Sequence, residues 1–172
     1  MVTKRRFIMV WVGGLVAFAV TVWLHLPLVL ETVPGGILDH QRAGTAERVD
    51  VIQREWAAAG VYRSALTAML SDVGFILLYG TGSLLGGLYF MRRSRPLVRR
   101  LGAVLALSAG LFIAADLLET GLQLSQLVAA KGDDVSAGLA AAMAYPKLVG
   151  WTLCFLLPLV GLVLDGKAAV SR

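Results

Sequence analysis

The sequence has few of the residues on which several classes of protein depend. It contains one cysteine, Cys154, only two histidines and no asparagine. A single cysteine excludes a disulfide-stabilised scaffold and a redox centre built on paired cysteines. Charged residues make up only 16% of the 172 residues, against about 25% in soluble domains. These shortages argue against a small secreted fold and against an ordinary soluble domain.

Hydrophobic residues are abundant instead, at 58% of the chain, with a mean hydropathy of +0.75. This excludes a disordered chain. A membrane-spanning helix needs about 20 mostly apolar residues, and four stretches qualify: 7–30, 64–91, 101–128 and 137–164. No stretch alternates apolar and polar residues at period two, so strands are not expected. The sequence predicts one all-α domain over residues 1–172, a four-helix transmembrane bundle whose first span is retained rather than cleaved as a signal peptide.

Basic residues are distributed unevenly between the predicted loops. The N-terminus, the loop between spans two and three and the C-terminus together hold ten basic residues and one acidic residue, Asp165. The other two loops hold five basic and seven acidic residues. The positive-inside rule predicts a bacterial-type inner membrane protein with both termini in the cytoplasm. The net charge of +5 reflects this bias and contact with the lipid bilayer, and no nucleic-acid partner is expected.

The long outer loop contains an amphipathic helix at about residues 45–62. Thr45 is a suitable N-cap, and Val49, Ile52 and Trp56 fall on one face at helical spacing. Two interpretations remain open. The favoured one places the helix in the membrane interface, a depth that suits Trp56. The alternative is that the helix caps an outward-facing cavity.

Small residues recur every fourth position in two of the spans. The pattern includes Gly82 and Gly86 in span two, and a longer series in span three: Gly102, Ala106, Gly110 and Ala114. Such residues let helix backbones approach closely. Packing within one chain is the favoured interpretation, and the alternative is a face for a homodimer or for a larger membrane complex.

Four charged side chains lie inside the predicted spans: Asp72, Asp116, Glu119 and Lys147. A charge at the bilayer centre costs about 2.5–3.5 kcal/mol even on the mildest scale. At a rise of 1.5 Å per residue, three helices carry these charges to one level, roughly 12–15 Å from the outer ends. We therefore expect a ligand- or ion-binding cluster in the outer half of the bundle. Its remaining polar members are Tyr79, Gln123 and His25. Polar residues also step by three or four along one face of span three: Asp116, Glu119 or Thr120, Gln123 and Gln126.

The charges in this cluster do not balance. Three carboxylates face one lysine, so two negative charges need compensation. Protonated carboxylates would indicate proton coupling. A bound cation, such as sodium, a metal or an organic amine, would supply the charge directly. Pairing with Lys147 and Arg63 would make the cluster structural. The sequence leaves these three options open, together with the question of which carboxylate pairs with Lys147.

The order of these residues resembles a group of small, poorly characterised bacterial membrane proteins with four spans. Their pattern is D-x-x-F-I-x-x-Y, then D-x-x-E-N, then a lysine, and the matching residues here are Asp72 to Tyr79, Asp116 to Glu119 and Lys147. Thr120 stands where the pattern has asparagine. The resemblance covers about residues 38–147, and it implies that the polar cluster is a unit. No function can be carried over from it.

The sequence favours a proton- or cation-linked ligand-binding protein or carrier. It shows no set of zinc ligands, no nucleotide-binding loop and no recognisable nucleophile with its base. No catalytic residue, metal or cofactor can therefore be assigned, and the balance is against an enzyme. The first alternative is a non-catalytic subunit of a larger membrane complex. The second is a membrane enzyme that acts on a lipid or quinone.

Overall fold

The computed structural model describes residues 2–170, with side chains described as far as residue 166. The chain is 85% helical and has no strand within those residues. A 3₁₀ turn at Leu26–Leu28 follows the first helix. The six helices are α1 (Lys4–His25), α2 (Ile37–Gln41), α3 (Ala46–Ala58), α4 (Tyr62–Met91), α5 (Pro96–Ala129) and α6 (Asp134–Val170).

Four of the described segments are long and apolar enough to cross a membrane. They are Lys4–Leu28, Tyr62–Met91, Pro96–Ala129 and Asp134–Gly166. The predicted all-α class with four long apolar helices and a separate amphipathic helix is confirmed. Most helix ends lie a few residues outside the predicted limits. The prediction followed the apolar runs, whereas the residues that flank these runs also adopt helical structure. Pro96, for example, begins α5 at a first-turn position where its missing N–H would have no helical partner.

The long helices are divided between two compact units. One unit, called the terminal unit here, comprises the chain up to Val16, Ile76–Ala114 and the chain from Pro146 onward. The other, called the cap unit, comprises Ala17–Phe75 and Ala115–Tyr145. Each unit contains part of α1, α4, α5 and α6. The expectation of a single domain stays a prediction.

Helices of the terminal unit approach one another closely at glycines. A Cβ atom on Gly14 would lie 2.5 Å from the Cα atom of Tyr79, and one on Gly82 would lie 2.5 Å from that of Trp11. A Cβ on Gly87 would lie 2.8 Å from the backbone oxygen of Gly102. No larger residue fits at these three positions, so small residues pack helices together within this chain. The predicted pattern holds for Gly82 and Gly102, whereas Gly110 and Ala114 of the predicted series are exposed.

The cap unit is built around α3. Thr45 caps the helix as predicted, since its side-chain oxygen accepts a hydrogen bond from the backbone N–H of Arg48 at 3.3 Å. Trp56 is fully buried, and its indole N–H donates to the backbone oxygen of Leu28 at 3.0 Å. The apolar face of α3 packs against the first turns of α4 and the last turn of α5, at residues such as Met69 and Leu127.

The favoured interpretation of the amphipathic helix is therefore wrong for Trp56. Its indole is fully buried among protein side chains and is not exposed on the surface of α3. A helix that lies on lipid and a helix that packs on protein have the same apolar stripe. The sequence pattern therefore could not distinguish between these two positions. In this structure α3 packs over the helix ends of its unit, and the alternative, that it caps an outward-facing cavity, stays a prediction.

Candidate functional site

Buried polar side chains are concentrated in the cap unit. Ten polar or charged side chains are buried among the described residues, and eight of them belong to this unit. The eight are Thr21, His40, Gln53, Asp116, Glu119, Thr120, Gln123 and Gln126. The terminal unit contributes only Ser83 and Ser108. Because buried polar groups need partners, the cap unit is where a polar site can form.

The end of α1 and the third turn of α4 are joined by an imidazole and a carboxylate. Nε2 of His25 lies 3.0 Å from Oδ2 of Asp72. The two side chains are only 12% and 16% exposed. Nδ1 of the same imidazole is buried and has no hydrogen-bond partner among the described residues. The sequence analysis expected both residues in the site but did not anticipate that His25 is a partner of Asp72.

Two hydroxyl groups continue this contact along the same helices. Oγ of Ser71 donates to the backbone oxygen of Ala68 at 2.7 Å, which uses its only hydrogen. The hydroxyl of Thr21 therefore donates to Ser71, over 3.0 Å. We call Thr21, His25, Ser71 and Asp72 the polar seam. The sequence analysis missed both hydroxyls, although Thr21 lies four residues before His25 and so shares its helix face.

A second row of buried polar side chains follows one face of α5. The predicted spacing of three or four residues is confirmed, because every member is at most 6% exposed: Asp116, Glu119, Thr120, Gln123 and Gln126. Nε2 of Gln123 donates to Oε1 of Glu119 at 3.2 Å. Glu119 itself is fully buried. The side-chain oxygen of Gln126 accepts from the backbone N–H of Asp133 at 3.0 Å, which ties the row to the start of α6.

Two of the seven expected site residues belong to the terminal unit. The hydroxyl of Tyr79 donates to the backbone oxygen of Trp151 at 3.1 Å, and its ring meets Phe112 edge-on at 5.4 Å. Lys147 is half-buried on α6. The structure brings together His25 with Asp72 and Glu119 with Gln123. The grouping of all seven residues into one site stays a prediction.

Neither a metal cluster nor a compensating arginine is evident within the described part of the chain. No three side chains of the His, Cys, Asp and Glu types come together there in a way that could hold a metal ion. Arg63, which the charge balance suggested as a compensating cation, is exposed in the first turn of α4.

A further buried polar pair lies beneath α3, and the sequence analysis missed it. The amide nitrogen of Gln53 donates to Nε2 of His40 at 3.3 Å. The imidazole stacks on Trp56 with ring centroids 5.3 Å apart. Burial lowers the pKa of His40 from 6.5 to about 4. Helical spacing was the available signal for Gln53, since it lies between Ile52 and Trp56 on the buried side of α3.

No protein-family model, curated protein or solved structure matches this chain. The resemblance to bacterial four-span proteins therefore stays a prediction. The four long apolar helices indicate a multi-pass membrane protein, and its buried polar groups must be interpreted from their own chemistry.

Proposed function

We propose that the protein is a membrane-embedded, proton-linked binding protein or carrier for a small ligand or cation. The observation that carries this proposal is the contact between His25 and Asp72 inside the cap unit. It joins the only histidine in a candidate span to one of the few carboxylates within such spans.

The chemistry of this pair suits proton exchange. Histidine is the side chain whose ordinary charge change falls between pH 5 and 8. With the imidazole neutral, the pair carries one negative charge, and with the imidazole protonated it becomes an ion pair with no net charge. Intramembrane ionisable residues are functional by default because leaving them there is expensive. One proton thus changes the charge of a largely buried site.

The neighbouring groups support a role in binding. The hydroxyl oxygens of Thr21 and Ser71 lie on the same two helix faces, where they are suited to receive a cation or a polar ligand. On α5, Glu119 and Gln123 offer a carboxylate and an amide in full burial. A plain structural contact needs one polar pair, whereas this unit holds eight buried polar side chains.

The proposal includes an orientation, with both termini in the cytoplasm of a bacterial inner membrane. Its support is the excess of basic residues from the end of α4 to the first turns of α5, where four arginines are exposed: Arg92, Arg95, Arg99 and Arg100. Arg93 instead forms an ion pair with Asp165, with Nε and Oδ1 3.0 Å apart. The test is labelling of engineered cysteines with an impermeant maleimide. Glu47→Cys should react in intact cells and Arg95→Cys only after permeabilisation, and the reverse pattern would overturn the orientation.

The test of function is thermal stability of the purified protein between pH 5 and 9, with and without sodium, divalent cations and organic amines. Asp72→Asn should flatten the pH or cation response of the wild type and leave stability equal or higher, because a carboxylate that is costly to bury has been neutralised. Glu119→Gln and Lys147→Met extend the series. Asp165→Asn is the matched control, because this carboxylate is held by Arg93 and Tyr89 in the terminal unit. A wild-type response that survives in Asp72→Asn contradicts the proposal.

A further inference from the structure

A separate cavity opens at the end of the cap unit, beside α3. Its volume is about 260 Å³, whereas a single water needs only about 10–15 Å³. It lies between one face of α3, the first residue of α4 and the end of α5. The lining residues are Asp50, Gln53, Arg54, Ala57, Tyr62, Ala130 and Lys131. None of them belongs to the polar seam or to the buried row on α5.

The cavity presents two cations, Arg54 and Lys131. Arg54 and Lys131 are exposed, and neither forms an ion pair with a carboxylate in the described part of the chain. Lys131 acts electrostatically on Asp133, which lies outside the cavity. Arginine and lysine side chains are the usual donors to phosphate and carboxylate oxygens. These two residues are therefore suited to an oxyanion.

The same cavity also presents acceptors. Asp50 is the carboxylate in its wall, and one of its oxygens accepts from the backbone N–H of Gly132. Gln53 is 4% exposed, and its side-chain oxygen is buried without a hydrogen-bond partner within the described residues. Leaving such an acceptor unsatisfied is unfavourable.

We infer that this cavity binds a zwitterionic group that combines an oxyanion with a primary ammonium. The oxyanion would meet Arg54 and Lys131, and the ammonium would meet the Asp50 carboxylate. Tyr62 begins a candidate membrane span, so the cavity lies where lipid headgroups are found. A phosphoethanolamine headgroup of a lipid and a free molecule of the same chemistry both fit this description.

The test compares probes that differ in one feature. Delipidated full-length protein is placed in nanodiscs of phosphatidylcholine alone, or with phosphatidylethanolamine or phosphatidylglycerol added, and bound lipid is measured by native mass spectrometry. Phosphatidylethanolamine should bind at least tenfold more tightly than phosphatidylcholine, because only the former has N–H donors. Free phosphoethanolamine should compete if the soluble group is sufficient, and its failure to compete would assign the site to the lipid.

Variants separate the cavity from general surface charge. Arg54→Gln and Lys131→Gln should each weaken binding about tenfold, and Asp50→Asn should reduce the preference for phosphatidylethanolamine over phosphatidylcholine. Arg48→Gln is the matched control, because this exposed arginine lies on α3 but not in the cavity wall. Equal binding of all three lipids would overturn the inference. Equal loss in Arg48→Gln and Arg54→Gln would also overturn it.

Discussion

The helices within the terminal unit and the helices within the cap unit are held together by different kinds of contact. In the terminal unit, helices meet at glycines and aromatic rings, as where Gly14 abuts the backbone of Tyr79. In the cap unit, polar side chains join helices, as His25 joins Asp72. Lipid provides no hydrophobic driving force between helices, so close packing is the economical way to associate them. The cap unit differs, because buried polar side chains also join its helices.

That difference is the reason we propose the site in the cap unit. Small residues and rings are sufficient to hold helices together, and few polar contacts are needed for that purpose. The cap unit instead retains eight of the ten buried polar side chains of the described chain. We therefore expect mutations of the packing glycines in the terminal unit to change stability alone. Mutations in the polar seam should change the response to protons or ligand.

The largest expected effect comes from removing the core of the cap. Trp56→Ala should destabilise the protein by about 3–5 kcal/mol, the usual result of deleting a buried large aromatic residue, and it also removes the hydrogen bond to Leu28. The readouts are unfolding midpoint and proteolysis within residues 42–61. Trp23→Ala is the control, since Trp23 is 68% exposed. Equal effects of the two substitutions would show that α3 is not packed as described.

The second expected effect is a pH dependence of the cap through His40. Its pKa is 6.5 in the unfolded chain and about 4 in the folded protein. Between pH 4 and 6.5 the unfolded state binds more protons than the folded state. The free energy of unfolding should therefore fall as the pH drops from 6.5 to 4, and it should level off below pH 4. The total change is about 3 kcal/mol.

His40→Gln isolates this dependence. The difference in unfolding free energy between wild type and variant should vary over pH 4–6.5 and stay constant from pH 7 to 8. A difference that does not vary with pH would contradict the burial of a neutral imidazole against Trp56.

The third effect concerns packing in the terminal unit. Gly14→Ala places a methyl group 2.5 Å from the Cα atom of Tyr79, and overpacking of this kind costs about 1–3 kcal/mol. Gly13→Ala is the neighbouring control, because a Cβ there meets nothing within 4 Å. Thermal unfolding in detergent checks the pair. A folded Gly14→Ala protein whose proton or cation response had also changed would contradict the expectation that this packing affects stability alone.

The smallest effect concerns the start of α3. Thr45→Ala removes the acceptor for the backbone N–H of Arg48 and should cost about 1 kcal/mol. Thr45→Ser keeps the hydroxyl and should restore most of the stability. Chemical unfolding followed by circular dichroism measures both. A serine variant as unstable as the alanine variant would indicate that the hydroxyl does not act as the cap.

Much of the fold could be predicted because it depends on local properties. Bilayer thickness fixes the length of an apolar run, so all four long helices were found from the sequence. The N-cap at Thr45 and the buried row on α5 follow from residue type and helical spacing, and the structure confirms both.

The missed features depend on which helix faces which. The contact of His25 with Asp72 joins residues 47 positions apart, and a sequence does not specify the rotation of one helix against another. Burial of Trp56 was missed for the same reason, since an apolar face fits lipid and protein equally. Tyr79 and Lys147 belong to the terminal unit, and their membership of the cluster stays a prediction.

The central claim is that His25 exchanges a proton in a site that includes Asp72. The chain has only two histidines, so the protein labelled with ¹⁵N-histidine gives two imidazole signal sets, assigned with His25→Gln and His40→Gln. The proposed function predicts that the His25 signals respond to pH, that Asp72→Asn alters this response, and that His40 stays neutral between pH 5 and 8. A His25 signal that ignores both pH and Asp72→Asn would contradict the account.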